Sequence, residues 1–222
     1  MPFPAIAPTA RYAVRFADAA HPRHDRLAPN ERRQFERLPT DARRGDWLAG
    51  RRAARDAVAA HCGVAVERIL LEQRIGVAPR CMVRADDDQW TPLPVSLSIA
   101  HCNGVAIASA GDVSTRVAVD VERTGEITSE YHRYFLAESE RTTTLGIDAT
   151  LLWVLKEAAW KALGLDSAFP FTALRLDFAP RTLDLRGVDV AGRWQPARAT
   201  VVRFARAQEF VAAALELMGD PG

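Results

Sequence analysis

Apolar and polar positions alternate most clearly through residues 94–112, "PVSLSIAHCNGVAIASAGD". An alternating run ends at His101-Cys102, Asn103-Gly104 supplies a tight turn, and "VAIASA" returns. This pattern predicts a β-hairpin. Weaker alternation predicts strands in "ARYAVRFA" (10–17), "RILLEQ" (68–73), "APRCMVR" (78–84) and "RVAVDVERTG" (116–125), with Gly76 and Pro79 between the second and third. Four later segments, "FTALRLDFAP", "RTLDLRG", "ATVVRFAR" and "EFVAAALELMG", read as a meander of strands.

Between the strands the period lengthens. "APNERRQFERLP" (28–39) predicts a short helix closed by Pro39. "TDARRGDWLAGRRAARDAVAAHCG" (40–63) predicts a long one, capped by Thr40 or Asp41 and ended by Gly63. On the long helix Trp47, Ala54 and Val58 fall on one apolar side. Arg44, Leu48, Arg51 and Arg55 fall on another, which either carries a phosphate or faces water. Residues 126–145 contain helical pieces. "LLWVLKEAAWKALG" (151–164) predicts a helix with Leu152, Leu155, Ala159, Ala162 and Leu163 as its packing stripe and Gly164 as its stop.

The elements fall into two halves, each with helices followed by strands. "GVAIASAG" (104–111) and "FVAAALELMG" (210–219) close the halves and resemble each other loosely. This suggests an internal duplication, with an N-terminal lobe over 1–112 and a C-terminal lobe over 113–222.

Composition narrows the class. The 222 residues are 48% hydrophobic and 26% charged, enough for a buried core. The net charge of +1 argues against a nucleic-acid binder. Basic clusters at 31–37, 42–55 and 203–207 read as solvated faces. Three cysteines, Cys62, Cys81 and Cys102, show no metal-ligand spacing and predict reduced thiols in the cytoplasm. Prolines interrupt the start where a signal peptide needs an apolar run, and no stretch approaches a membrane helix.

Charge also singles out one helix. Of 29 basic residues only two, Lys156 and Lys161, are lysines, and they flank Glu157. Lysine is a compact point charge and arginine a planar fork, so the two are not interchangeable. Trp153, Glu157 and Lys161 share one stripe. Glu157 and Lys161 either form an ordinary i,i+4 ion pair or serve a ligand. In "RVAVDVE", period-two geometry turns Val117, Val119 and Val121 one way and Ala118, Asp120 and Glu122 the other. Two carboxylates on one strand face repel, which either solvent at a strand end or a hard divalent cation relieves. His101, just before the hairpin turn, is either structural or a phosphate contact. Tyr131, Tyr134, Phe135 and Leu136 in "EITSEYHRYFLAE" (126–138) are either core or the apolar centre of a docking surface.

Taken together, these segments resemble a family. "VAVDVE" followed about thirty residues later by "WVLKEAAWK" is similar to the paired signature of Sfp-type 4′-phosphopantetheinyl transferases, (G/A)-x-D-x-E and W-x-x-K-E-A-x-x-K. "SLSIAHCNG" resembles that family's upstream segment ending in Ser/Ala-His-Ser, and "DWLAGRRAAR" its L-x-G-R helix, particularly in the siderophore-synthesis branch. Departures are Ala118 where the family usually has Gly, "GVAPR" (76–80) where it has Gly-Lys-Pro, and Glu31 and Gln34 at early positions that are often lysine, with Arg32 and Arg33 beside them.

The resemblance implies an α+β fold of two similar, pseudo-symmetric lobes with the active site in the cleft between them. It implies a magnesium-dependent transferase; a monomer with no membrane or nucleic-acid partner is expected. This enzyme moves the 4′-phosphopantetheine arm of coenzyme A to a serine of an apo acyl, peptidyl or aryl carrier protein and releases adenosine 3′,5′-bisphosphate. Asp120, Glu122 and Glu157 are the implied metal ligands, with Glu157 also a candidate base and Lys161 the group balancing charge at the pyrophosphate. His101, Arg51, Arg80 and Lys156 are further candidates for contact with CoA; Lys156 alternatively anchors its helix. A non-catalytic module binding CoA or a carrier protein, and a magnesium-dependent phosphohydrolase, stand as alternatives.

Overall fold

Thr40 stops the chain from continuing as loop. Its Oγ1 accepts the Arg43 N–H at 3.2 Å, satisfying one of the donors that every helix start leaves over. Such a cap contributes about 1 kcal/mol. The helix that follows, α2 (Asp41–Cys62), runs until Gly63 takes a left-handed conformation with φ 68°. Before it come β1 (Arg11–Phe16) and α1 (Pro29–Glu36). After it come β2 (Ile69–Glu72), β3 (Arg80–Arg84), β4 (Trp90–Leu93), β5 (Val95–Cys102) and β6 (Val105–Asp112). The computed structural model describes residues 11–16, 27–72, 79–86, 88–144, 146–165, 168–179, 184–203 and 209–217. The expected break at Gly76 lies outside the described residues, as does the start of the "RTLDLRG" strand.

The chain divides into two units between Val113 and Ser114. In the first, antiparallel strands run in the order β1-β6-β5, and a second sheet runs β2-β3-β4. Ala53, Ala54, Ala57 and Val58 of α2 pack with Ile69, Leu71, Cys81, Leu97, Ala108 and Ala110 to form its core. β4 was not among the expected strands, and it contains Pro92. Proline is tolerated there because β4 is an edge strand.

The other flank of α2 neither faces water nor stands open at 48, 51 and 55. Leu48 and Arg51 are buried. Glu31 of α1, itself buried, accepts two bonds from Arg55 Nη2 at 2.6 and 2.8 Å. Gln34 accepts one from Arg51.

The second unit begins with β7 (Arg116–Arg123), passes through a 3-10 turn (Ser129–Tyr131), α3 (His132–Phe135) and α4 (Glu138–Thr143), and reaches α5 (Ala149–Leu163). β8 (Leu174–Phe178), β9 (Leu185–Val190), β10 (Arg193–Arg203) and β11 (Phe210–Leu217) complete it. All pairings are antiparallel, in the order β7-β11-β10-β9-β8. Helix α5 starts two residues earlier than the apolar pattern suggests, because Asp148 Oδ1 accepts the Leu151 N–H at 3.0 Å.

α5 buries more than the one stripe expected. Leu151, Val154, Leu155, Ala158, Ala159 and Ala162 pack on the sheet. Leu152 turns elsewhere, to Phe135 and Leu136, with Trp153 and Phe171 against that cluster. A helix apolar on so much of its circumference is a core helix. The protein is thus a mixed α and β structure with several sheets. Among the described residues, no helix is long and apolar enough to cross a membrane.

Candidate functional site

β7 lies at one edge of its sheet, and its alternation is as expected. Val117, Val119 and Val121 are buried on one face. On the other, Ala118 enters the cluster built by α5, so this face turns towards the helix. Asp120 and Glu122 follow on that face, in register with Ala213 and Val211 of β11. Solvent at a strand end does not account for them: Asp120 is 5% exposed and Glu122 half-buried.

The charge facing Asp120 comes from α5. Lys161 Nζ donates to Asp120 Oδ1 at 2.6 Å and to the Val119 carbonyl at 3.4 Å. Its ion pair is therefore with the strand rather than with Glu157 one turn earlier. Glu157 is half-buried, and its carboxyl is pushed up to about 7. Burial is the main cause; the Lys161 charge opposes it, and Asp120 and Glu122 add to it.

Three carboxyl groups and one ammonium thus act on one another at the junction of α5 with β7. Fully ionised, the cluster carries two uncompensated negative charges in a partly desolvated place. A proton on Glu157 relieves this, as does a cation. The donors are all oxygen, the kind a hard divalent ion takes, but Asp120, Glu122 and Glu157 do not set one oxygen each within 4.8 Å of the other two.

Lys156 is used differently. It is 0% exposed. Its Nζ donates to the Phe135 carbonyl at 2.5 Å, to Glu140 Oε2 at 2.6 Å and to the Phe171 carbonyl at 3.2 Å. Glu140 in turn accepts the Ala137 N–H and the Leu176 N–H, each at 2.8 Å. Burial lowers the lysine's pKa while Glu140 opposes that shift. Of the two roles open to Lys156, contact with a ligand or anchorage of the helix, this geometry is that of an anchor. It ties α5 to α3, α4, β8 and the turn at Phe171. Glu140 was missed in the sequence. Its one local signal is its place as the third residue of α4, where it reaches back to the Ala137 N–H.

The remaining candidates lie in the first unit. His101 stands exposed near the end of β5, opposite Ala106. The turn after it has φ 45° at Asn103 and φ 87° at Gly104, the left-handed pair that a two-residue hairpin needs. Helix α2 crosses close by. A Cβ at Gly50 would lie 3.1 Å from Ile99 Cγ2 and 3.7 Å from His101 Cδ2.

Arg51, the next residue, is 2% exposed, with its guanidinium 4.7 Å from the Trp47 ring centre and donating to Gln34. Burial chiefly pushes its pKa down to about 10. Arg80 is exposed at the start of β3, opposite Glu72 and on the other face from buried Cys81. The first unit therefore brings His101 against α2 at Gly50 but turns the Arg51 head group to α1. No family model and no curated protein matches this chain.

Proposed function

We propose that this protein transfers the 4′-phosphopantetheine arm of coenzyme A to a serine of an apo carrier protein, releasing adenosine 3′,5′-bisphosphate. One observation carries the reading: Asp120, Glu122, Glu157 and Lys161, separated by up to 41 residues in the chain, act on one another at one helix–strand junction. They are the residues of the paired signature in the resemblance.

Asp120, Glu122 and Glu157 would hold magnesium, which supplies charge neutralisation at the pyrophosphate oxygens. Lys161, held beside Asp120, adds a point charge for the leaving phosphate, where in-line transfer builds negative charge. Glu157 is also the candidate to take the serine proton, directly or through a water. His101 and Arg80, both exposed, are assigned to CoA, Arg51 to the contact between α2 and α1, and Lys156 to holding α5 in place.

The arrangement of two similar lobes with the site in a cleft belongs to the same proposal. Its support is connectivity. In each unit the first strand pairs with the last and the last with the one before it, β1-β6-β5 and β7-β11-β10. In each, one long helix, α2 or α5, packs on those strands.

Incubation with CoA, magnesium and an apo carrier protein tests the reading by mass spectrometry. Gain of the phosphopantetheine mass on the carrier supports it. Cleavage of CoA without a carrier makes the protein a phosphohydrolase. Binding of CoA without either makes it a binding module.

A further inference from the structure

Asp46 lies on α2 one turn before Gly50. Its Oδ1 accepts the Gly104 N–H at 2.7 Å. In a two-residue hairpin the N–H of the second turn residue points away from the ladder and goes to water unless something meets it. Here a carboxylate meets it, in a short, charge-assisted bond. One turn later the missing side chain of Gly50 lets the helix backbone come down on Ile99 and His101. Helix α2 therefore grips the end of the hairpin at two points: the turn itself and the strand residue His101.

We infer that Asp46 is a positioning residue for His101. The inference rests on the transferase reading, in which His101 contacts a phosphate of CoA. The His101 ring stands exposed beside Gly50, so the seat of the hairpin end on α2 sets where the ring projects. Tying Gly104 to the helix fixes the backbone two residues beyond Cys102 and so the place from which the His101 ring projects. Asp46 touches no substrate in this account, and its action is on CoA affinity and not on the chemical step.

The test is steady-state kinetics of transfer by Asp46→Ala, Asp46→Asn, His101→Ala and the Asp46→Ala/His101→Ala pair, with circular dichroism melts to establish folding. Asp46→Ala is expected to raise KM for CoA about five- to tenfold, in keeping with loss of one charge-assisted bond, with kcat and KM for the carrier unchanged. Asp46→Asn keeps an acceptor and restores KM. In the His101→Ala background, Asp46→Ala adds nothing.

A normal KM in Asp46→Ala, or an equal rise with and without His101, overturns the inference while leaving the transferase reading intact. A normal KM in His101→Ala also overturns it. Wild-type protein that transfers nothing overturns both.

Discussion

Lys161 of α5 and Asp120 of β7 meet with Nζ 2.6 Å from Oδ1, and the same ammonium reaches the Val119 carbonyl at 3.4 Å. The lysine thus bridges helix and strand, and its charge and that of Asp120 both act on Glu157. A point ammonium can divide its three donors among such neighbours, whereas a guanidinium is wider and must lay down a planar fork. Lys161→Arg keeps the charge. It is expected to lose at least about 100-fold in kcat/KM, or about 2.7 kcal/mol of transition-state stabilisation. Near-normal turnover in this variant contradicts the assigned role.

Lys156 predicts a different phenotype. Its ammonium is enclosed by Glu140 and two carbonyls. Removing it in Lys156→Ala leaves Glu140 buried without its counter-charge, at an expected cost of about 3–5 kcal/mol in urea unfolding. Lys156→Met/Glu140→Leu recovers only part of this, because the Ala137 and Leu176 N–H groups lose their acceptor. Full recovery argues that those bonds contribute nothing.

The raised Glu157 pKa makes stability depend on pH. In the folded, metal-free protein this carboxyl binds its proton up to about 7, against an ordinary value of 4.5. Its contribution is fully present below 4.5 and is lost as pH rises through about 7. Over that window wild-type protein in chelator is expected to lose about 2 kcal/mol relative to Glu157→Gln, after allowance for partial exposure. Parallel stability–pH curves for the two proteins contradict the assigned burial.

The segment after β7 splits into two kinds of aromatic residue. Tyr131 and Tyr134 are 50% and 60% exposed, with ring centres 6.2 Å apart and Arg133 over Tyr134. Phe135 and Leu136 are 0% exposed in the α5 cluster. Tyr134→Ala is expected to raise KM for carrier protein and leave KM for CoA alone. Phe135→Ala is expected to cost about 3–5 kcal/mol in stability. An equal rise in both KM values for Tyr134→Ala places carrier docking elsewhere.

What the sequence could tell depends on the range of each signal. Thr40, Gly63, Asn103-Gly104 and Gly164 act on their own backbone, so the ends of α2, the hairpin turn and the end of α5 were legible. The strand face bearing Asp120 and Glu122 was legible from period two. The partner of Lys161 was not: the local reading offered Glu157 four residues away, and Asp120 comes within reach only when α5 packs on β7. Glu140 and Lys156 meet across 16 residues for the same reason. The arginine flank of α2 looked open because nothing in its own period announces that α1 lies over it with Glu31 and Gln34.

The central claim is that Asp120, besides joining helix to strand through Lys161, serves a metal-dependent transfer. The most direct measurement is the mass of an apo carrier protein after incubation with CoA, magnesium and either wild type or Asp120→Ala, alongside melts of both proteins. The account predicts full modification by wild type, loss of it when magnesium is chelated, and none by a folded Asp120→Ala. Wild-type magnesium-dependent modification by Asp120→Ala would contradict it.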